Sequence, residues 1–275
     1  ARIAARRAGC RVVYTRHSVF EPSKKLSRGI GKIINGAVNN YYSDRIIAVA
    51  EAAKQNLVDT GVNPDKITVI LNGVRGLEMP SAEEREQLKR RFKITDERVV
   101  SIVARLEDIK GHMYFIDAAN ELLKSGIKAK FFIAGTGSYE EALKKHTAEL
   151  GLTENVIFTG FISDVDKLMA VTDVQANASY GTEATSLALL EGMSLGIPAV
   201  VSDFGGNPGV IKNGENGFVV PKKNAHALAE GIECLLSDAD LYKNMSKNAR
   251  EIFEKEFTAS AMTRNIENIY SELIK

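Results

Sequence analysis

Short, nearly continuous apolar runs recur along the chain, and between them apolar residues fall three and four positions apart. Runs of the first kind predict strands covered on both faces, and the intervening spacing predicts amphipathic helices packed over them. In order, residues 1–8 form a short basic helix ending at Gly9, and 11–15 a strand. Residues 22–42 are a mostly polar helical segment, 45–49 a strand, and 51–59 a helix closed by Gly61. A strand over 67–71 runs into an Asn72-Gly73 turn. Residues 79–91, MPSAEEREQLKRR, are helical but so strongly charged that they read as a connector between two lobes, not as core.

A second series follows, with strands over 99–104, 131–134, 156–159, 174–178, 197–201 and 218–220, helices between most of them, and helices from Asn224 to Lys275. Strand and helix in alternation with short links predict an α/β fold of parallel, doubly wound sheets. The pattern contains neither an internal repeat nor a low-complexity tract.

Residues 181–198, GTEATSLALLEGMSLGIP, differ from their surroundings. Leu187, Leu190 and Met193 keep helical spacing, so a buried helix over 185–195 is expected, with Thr185 or Ser186 as N-cap and Gly196 and Pro198 as the stop. Glu183 precedes this helix and Glu191 lies two turns inside it, where a charge is costly to bury without a partner. Eight helical residues rise ~12 Å. That separation suits neither one metal ion nor the ~5–10 Å gap of paired glycosidase acids. It suits an extended ligand with hydroxyls at both ends, and the helix N-terminus between favours a phosphate in the middle. A nucleotide sugar has that form. The competing reading of Glu191 is an ordinary solvent-facing carboxylate.

Composition narrows the classes. The chain of 275 residues, 44% hydrophobic, can bury a core of its own, and a net charge of +1 gives no general attraction to nucleic acid. Cys10 and Cys234 stand outside any metal-ligand spacing and fit reduced thiols in a cytoplasmic protein. No apolar run is long enough to span a bilayer. Lys24, Lys25, Arg28 and Lys32 make residues 22–42 either a solvated helix face or a contact for anionic lipid at the inner face of the membrane.

Candidate chemistry clusters at predicted strand ends. Arg105 and Lys110 follow the strand over 99–104, where an open parallel sheet meets its ligand, and two cations there suit a diphosphate. Gly135-Thr136-Gly137 follows the next strand and suggests close backbone approach to a ligand, although the third glycine of a dinucleotide fingerprint is missing. Residues 203–207, DFGGN, either present backbone N–H groups to a sugar or form a tight turn. His17 falls at the end of the first strand, with a structural role as the alternative. His112, His146 and His226 fall on polar helical faces and are expected to be solvated. The chain carries no metal motif.

The spacing of Glu183 and Glu191, the segment VARLEDIKG with Arg105 and Lys110, the AGTG loop, the strand end Tyr14-Thr15-Arg16-His17 and the turn Asn72-Gly73-Val74 together resemble the retaining glycosyltransferases of family four. That resemblance covers nearly the whole chain and implies a GT-B fold, two Rossmann-like lobes facing a cleft. It divides the chain into an acceptor-side lobe over 1–78, a donor lobe over 79–258, and a final helix over 259–275 that packs back toward the first lobe. It implies that the first half of the first lobe is absent. By resemblance, Arg105 and Lys110 neutralise the departing diphosphate, Glu183 binds the transferred sugar, Glu191 binds the ribose and His17 stands by the reacting carbon. The backbone of Ala184, Thr185 and Ser186 caps the phosphates, while Gly135, Thr136, Gly137 and Phe161 approach the nucleotide. Such enzymes move a sugar from a nucleoside diphosphate to a glycan or lipid-linked acceptor without a bound metal or other cofactor. Ala184 stands where many members carry glycine. A nucleotide-sugar binding module without turnover and a sugar-nucleotide epimerase are the alternatives.

Overall fold

The computed structural model describes residues 1–19 and 23–274. The first part contains α1 (Arg2–Arg7), β1 (Val13–Arg16), α2 (Lys24–Ser27), α3 (Gly29–Tyr42), β2 (Arg45–Ala48), α4 (Glu51–Asp59) and β3 (Ile67–Val69). Its strands pair in parallel in the order β1-β2-β3. After α5 (Ala82–Arg91) come β4 (Arg98–Val103), α6 (His112–Lys124), β5 (Ala129–Ala134), α7 (Glu140–Glu149), β6 (Val156–Gly160) and α8 (Val165–Met169). The chain then crosses to β7 (Val174–Asn177), α9 (Leu187–Ser194), β8 (Ala199–Ser202), α10 (Asn207–Val210) and β9 (Gly217–Val220). Three helices close the chain, α11 (Ala225–Ser237), α12 (Ala239–Glu256) and α13 (Ala259–Ile274).

The second sheet runs β6-β5-β4-β7-β8-β9, every pair parallel. Its central strands are buried along their length because helices cover both faces, which is why they read as continuous apolar runs without alternation. Phe115, Phe131, Ile116 and Leu122 are fully buried between sheet and helix. Each such side chain contributes about 1.5–3 kcal/mol relative to exposure. The α/β class and the two parallel sheets are as the alternation predicts. The Pro22 start expected for the first helical segment lies outside the described residues, as does Lys275. The segment is broken at Arg28, extended at φ −138° and ψ 155°, into α2 and α3.

Three other expectations shift. The helix predicted over 185–195 starts only at Leu187, with Ser186 as its N-cap and no side-chain capping bond. The strand expected from 197 begins at Ala199. Asn207, read as the end of the 203–207 loop or tight turn, instead opens a helical turn that runs to Val210, with Pro208 inside its first positions, where a missing N–H costs nothing. The charged connector does form a helix, and its sequence shows why: Ser81 and Glu84 make a reciprocal capping box.

The lobes meet through their carboxyl edges. Ala184, from the second lobe, packs among Val19, Ile46 and Ala48 of the first, and the hydroxyl of Thr185 donates to the Val49 carbonyl at 3.3 Å. From the other side α13 returns to the first sheet, placing Ile269 on Ile47 and Ile70. No helix among the described residues is long and apolar enough to cross a membrane.

Candidate functional site

The strand order sets the site. From β4 the chain steps outward through β5 to β6, then returns to lay β7 on the other side of β4. The loops after β4 and β7 therefore leave in opposite directions and open a crevice at the carboxyl edge, the usual ligand position in such sheets. Arg105 and Lys110 lie in the first of these loops and Glu183 in the second. Backbone contacts lock the loops together: Tyr180 N–H donates to the Ile109 carbonyl at 2.9 Å, and a Cβ on Gly111 would run into the carbonyl of Ala178.

Across the crevice, Lys110 Nζ lies 3.0 Å from Glu183 Oε2 and donates to the Thr182 carbonyl at 3.0 Å. The same carboxylate oxygen accepts from Asn177 Nδ2 at 3.3 Å and Ser179 Oγ at 3.1 Å. Glu183 is only 8% exposed, so these donors are what make its charge tolerable. Asn207 extends the network, donating to Ser202, while its own Oδ1 is buried with no hydrogen-bond partner among the described residues. A ligand hydroxyl or a water is the natural donor for such an atom. Asn177 and Ser179 were not singled out from the sequence, and Asn207 only as the end of the 203–207 segment, whose backbone and not this side chain was the candidate. The available signal was polar residues at the ends of strands otherwise buried throughout.

Arg105 sits apart from this pair. Its side chain is exposed and its guanidinium meets Glu107 at 2.6 Å. It borders a cavity of about 200 Å³ with Val103, Gly135, Thr136, Phe161 and Ile162. Phe161 is 78% exposed at this cavity. Gly135 and Gly137 have an intramolecular reason to be glycine, since a Cβ at either would collide with the carbonyl of Ala104 or Leu106. The close approach expected for this loop is thus made, first of all, to the Arg105 segment itself.

Glu191 is half-buried on α9, and burial, reinforced by Asp166 on α8, raises its carboxyl above the usual range. Among the described cavities it lines none directly; Val165, beside Asp166, borders the Arg105 cavity. Its relation to the other site residues is through α9 itself, whose N-cap is Ser186. The first N–H groups of α9 point out of the helix start without intrahelical partners, by the geometry of any helix end. Thr185, a candidate cap, spends its hydroxyl across the lobe boundary instead. His17 is exposed just beyond β1, on the carboxyl edge that faces the second lobe.

Of the other histidines, His226 is exposed as expected, His146 is partly covered and His112 departs altogether. His112 is 1% exposed, with both ring nitrogens unpartnered among the described residues. Burial, with Lys110 nearby, pushes its pKa down to about 4. A polar face was expected because His112 opens α6 beside charged residues, but the helix start turns it into the protein. His146 contacts Asp117 at 2.6 Å and His226 contacts Glu121 at 2.8 Å. No three His, Cys, Asp or Glu side chains among the described residues converge as metal ligands.

Two larger cavities lie elsewhere among the described residues. One of about 580 Å³ lies between the lobes, bordered by Val49, Glu51, Ala184, Gly206, Pro208 and Phe257. The other, of about 330 Å³, lies at the opposite, amino edge of the large sheet among Arg85, Arg98, Asp173 and Tyr242, and none of the candidate donor-site residues lines it.

Residues 83–252 match the family model described as glycosyl transferases group 1, and residues 1–75 match that of glycosyltransferase family 4. An uncharacterised glycosyltransferase of Methanocaldococcus jannaschii is 30% identical over 85% of this chain, which spans 61% of that protein. The UDP-Gal:α-D-GlcNAc-diphosphoundecaprenol α-1,3-galactosyltransferase of Escherichia coli is 27% identical over 99% of this chain and 72% of its own length. Among solved structures, Anabaena HepE in complex with UDP and glucose superposes with a TM-score of 0.88 at 24% identity, over 98% of this chain and 74% of that one.

Proposed function

Because this chain belongs to the glycosyl transferases of group 1, we propose that it is the greater part of an enzyme that moves a sugar from a nucleoside diphosphate to a glycan or lipid-linked acceptor. The observation that carries this reading is the Lys110–Glu183 pair, 3.0 Å apart and spanning the switch-point crevice. Lys110 spends two of its three N–H bonds on Glu183 and the Thr182 carbonyl, and the third is suited to a phosphate oxygen. Arg105, on an exposed loop, supplies a second cation to the same diphosphate. As the bond from the anomeric carbon to the diphosphate breaks, negative charge gathers on the leaving oxygens, and fixed cations there lower the barrier.

Glu183 then holds the hydroxyls of the transferred sugar, Glu191 the ribose, and the backbone of Ala184, Thr185 and Ser186 the phosphates. Gly135, Thr136, Gly137 and Phe161 border the base. His17 approaches the reacting carbon from the first lobe, where the acceptor hydroxyl enters and replaces the diphosphate with retention of configuration. In this reading no metal or other cofactor is needed. The acceptor class rests on the relatives: the name of the Escherichia coli protein specifies a lipid-diphosphate-linked sugar.

Calorimetry with uridine, guanosine and adenosine diphosphates tests the donor half. At least one should bind, and Arg105→Ala should weaken that binding by about 1–3 kcal/mol, the value of a charge-assisted hydrogen bond. If none of the three binds, the donor assignment fails.

A further inference from the structure

We propose that the outer face of α2 and α3 is a docking surface for an anionic lipid bilayer. The proposal does not depend on the donor-site reading. It starts from an inversion in α3. The face of this helix turned into the protein is glycine and asparagine: Gly36 is buried, and a Cβ there would run into the carbonyl of Gly61. Asn35 Nδ2 donates to the Thr60 carbonyl at 2.7 Å, Asn40 Nδ2 to that of Gly61 at 3.4 Å, and Arg2 reaches Asn39 Oδ1 at 2.9 Å. The apolar face points outward. Ile30 is 75% exposed, Ile33 69%, Ile34 58%, Val38 43% and Tyr41 62%, and Leu26 on α2 continues the stripe. These positions repeat at the spacing of a single helix face.

A helix normally spends its apolar residues on the core, and the described residues leave this stripe uncovered, an arrangement that suits an external apolar phase. The charge of the segment says which phase. Between Ser23 and Ser43 there are four cations, Lys24, Lys25, Arg28 and Lys32, and no acidic residue. Isoleucine and tyrosine on one face with lysine and arginine at its border is the composition of a helix lying in the headgroup region of a membrane. A second copy of this chain is a poorer occupant, since a two-fold contact would set these cations against themselves.

Vesicle co-sedimentation of the full chain tests this, using phosphatidylcholine vesicles with and without phosphatidylglycerol. The protein should sediment with the anionic vesicles and be released by high salt. Lys24→Gln and Lys25→Gln should each weaken binding about fivefold. The double variant Ile33→Ser with Ile34→Ser should weaken it by at least roughly tenfold. Both isoleucines are exposed, so thermal melting and nucleotide diphosphate binding of these variants should be unchanged, which keeps a failure here separate from a failure of the donor site. Absence of sedimentation with anionic vesicles would overturn the proposal. Binding indifferent to these substitutions would do the same, as would a concentration-dependent dimer, seen by sedimentation velocity, that Ile33→Ser with Ile34→Ser abolishes.

Discussion

Arg105 and Lys110 carry the same charge in the same loop, but their side chains are 69% and 12% exposed. Arg105 faces solvent and one carboxylate, so Arg105→Ala should alter stability by no more than about 0.5 kcal/mol. Lys110→Ala removes the counter-ion of the buried Glu183 and should cost about 3 kcal/mol, because an uncompensated charge remains inside. Thermal melting of both variants checks the difference, and a comparable loss in each would mean the pair is more solvated than its burial indicates. The Arg105 substitution is therefore the cleaner probe of ligand binding. His112 makes a second prediction at this scale. Its pKa is depressed to about 4 in the folded protein and is near 6.5 in the unfolded chain. The unfolded state thus binds more protons between those values, so the stability contributed by a neutral His112 is present above pH 6.5 and is lost as pH falls toward 4. His112→Leu, which leaves no unpartnered ring nitrogen, should flatten the dependence of melting temperature on pH across that window and fold at least as well at neutral pH. An unchanged pH profile would show that other groups govern it.

At the level of elements, the site depends on loops brought closer than side chains allow. Gly206 donates its N–H to the Glu183 carbonyl at 3.0 Å, and a Cβ on it would strike the carbonyl of Ala184. Its φ is ordinary, so the requirement is for space and not for backbone freedom. Gly206→Ala should cost about 1–3 kcal/mol through this overpacking. Since Glu183 and Ala184 must move to relieve it, nucleotide diphosphate binding should weaken as well. A variant with native melting temperature and native binding would show that the loop has slack. A similar fit explains Gly192 within α9: a Cβ there would collide with the side chain of Gln175, a buried polar residue of β7.

For the molecule as a whole, the relation between the lobes is held by contacts of different kinds. Thr185 and Ala184 cross at the carboxyl edges, while Val74 exchanges backbone bonds with Phe257 and Ala259, each at 3.0 Å. On the far side α13 anchors Ile269, 5% exposed, against Ile47 and Ile70. Ile269→Ala should cost about 2–5 kcal/mol, as for other buried aliphatic truncations. Calorimetry should show the loss falling on the smaller lobe, whose three-stranded sheet has the smaller core, and splitting the melting transition into two. A single transition at the native temperature would mean that α13 contributes little to docking.

The sequence by itself determined the elements and the fold class, because burial on both faces of a parallel strand writes itself as a run of apolar residues and helix spacing is equally local. It also placed Arg105, Lys110, Glu183 and Glu191 near predicted strand ends or within a predicted helix. It did not contain the strand order, so it could not show that β4 and β7 are neighbours, nor that Lys110 and Glu183, far apart in the chain, touch while Arg105 stands separately and Glu191 is half-buried near Asp166. Direction was equally hidden. His112 sits in a polar neighbourhood of sequence yet is buried, and α3 has an apolar stripe that periodicity would send to the core yet is turned outward. Periodicity reports that a helix has two faces. Which face meets protein is decided by what the rest of the chain packs against it, and for α3 the partner is the backbone of Gly61, which admits glycine and asparagine but no isoleucine.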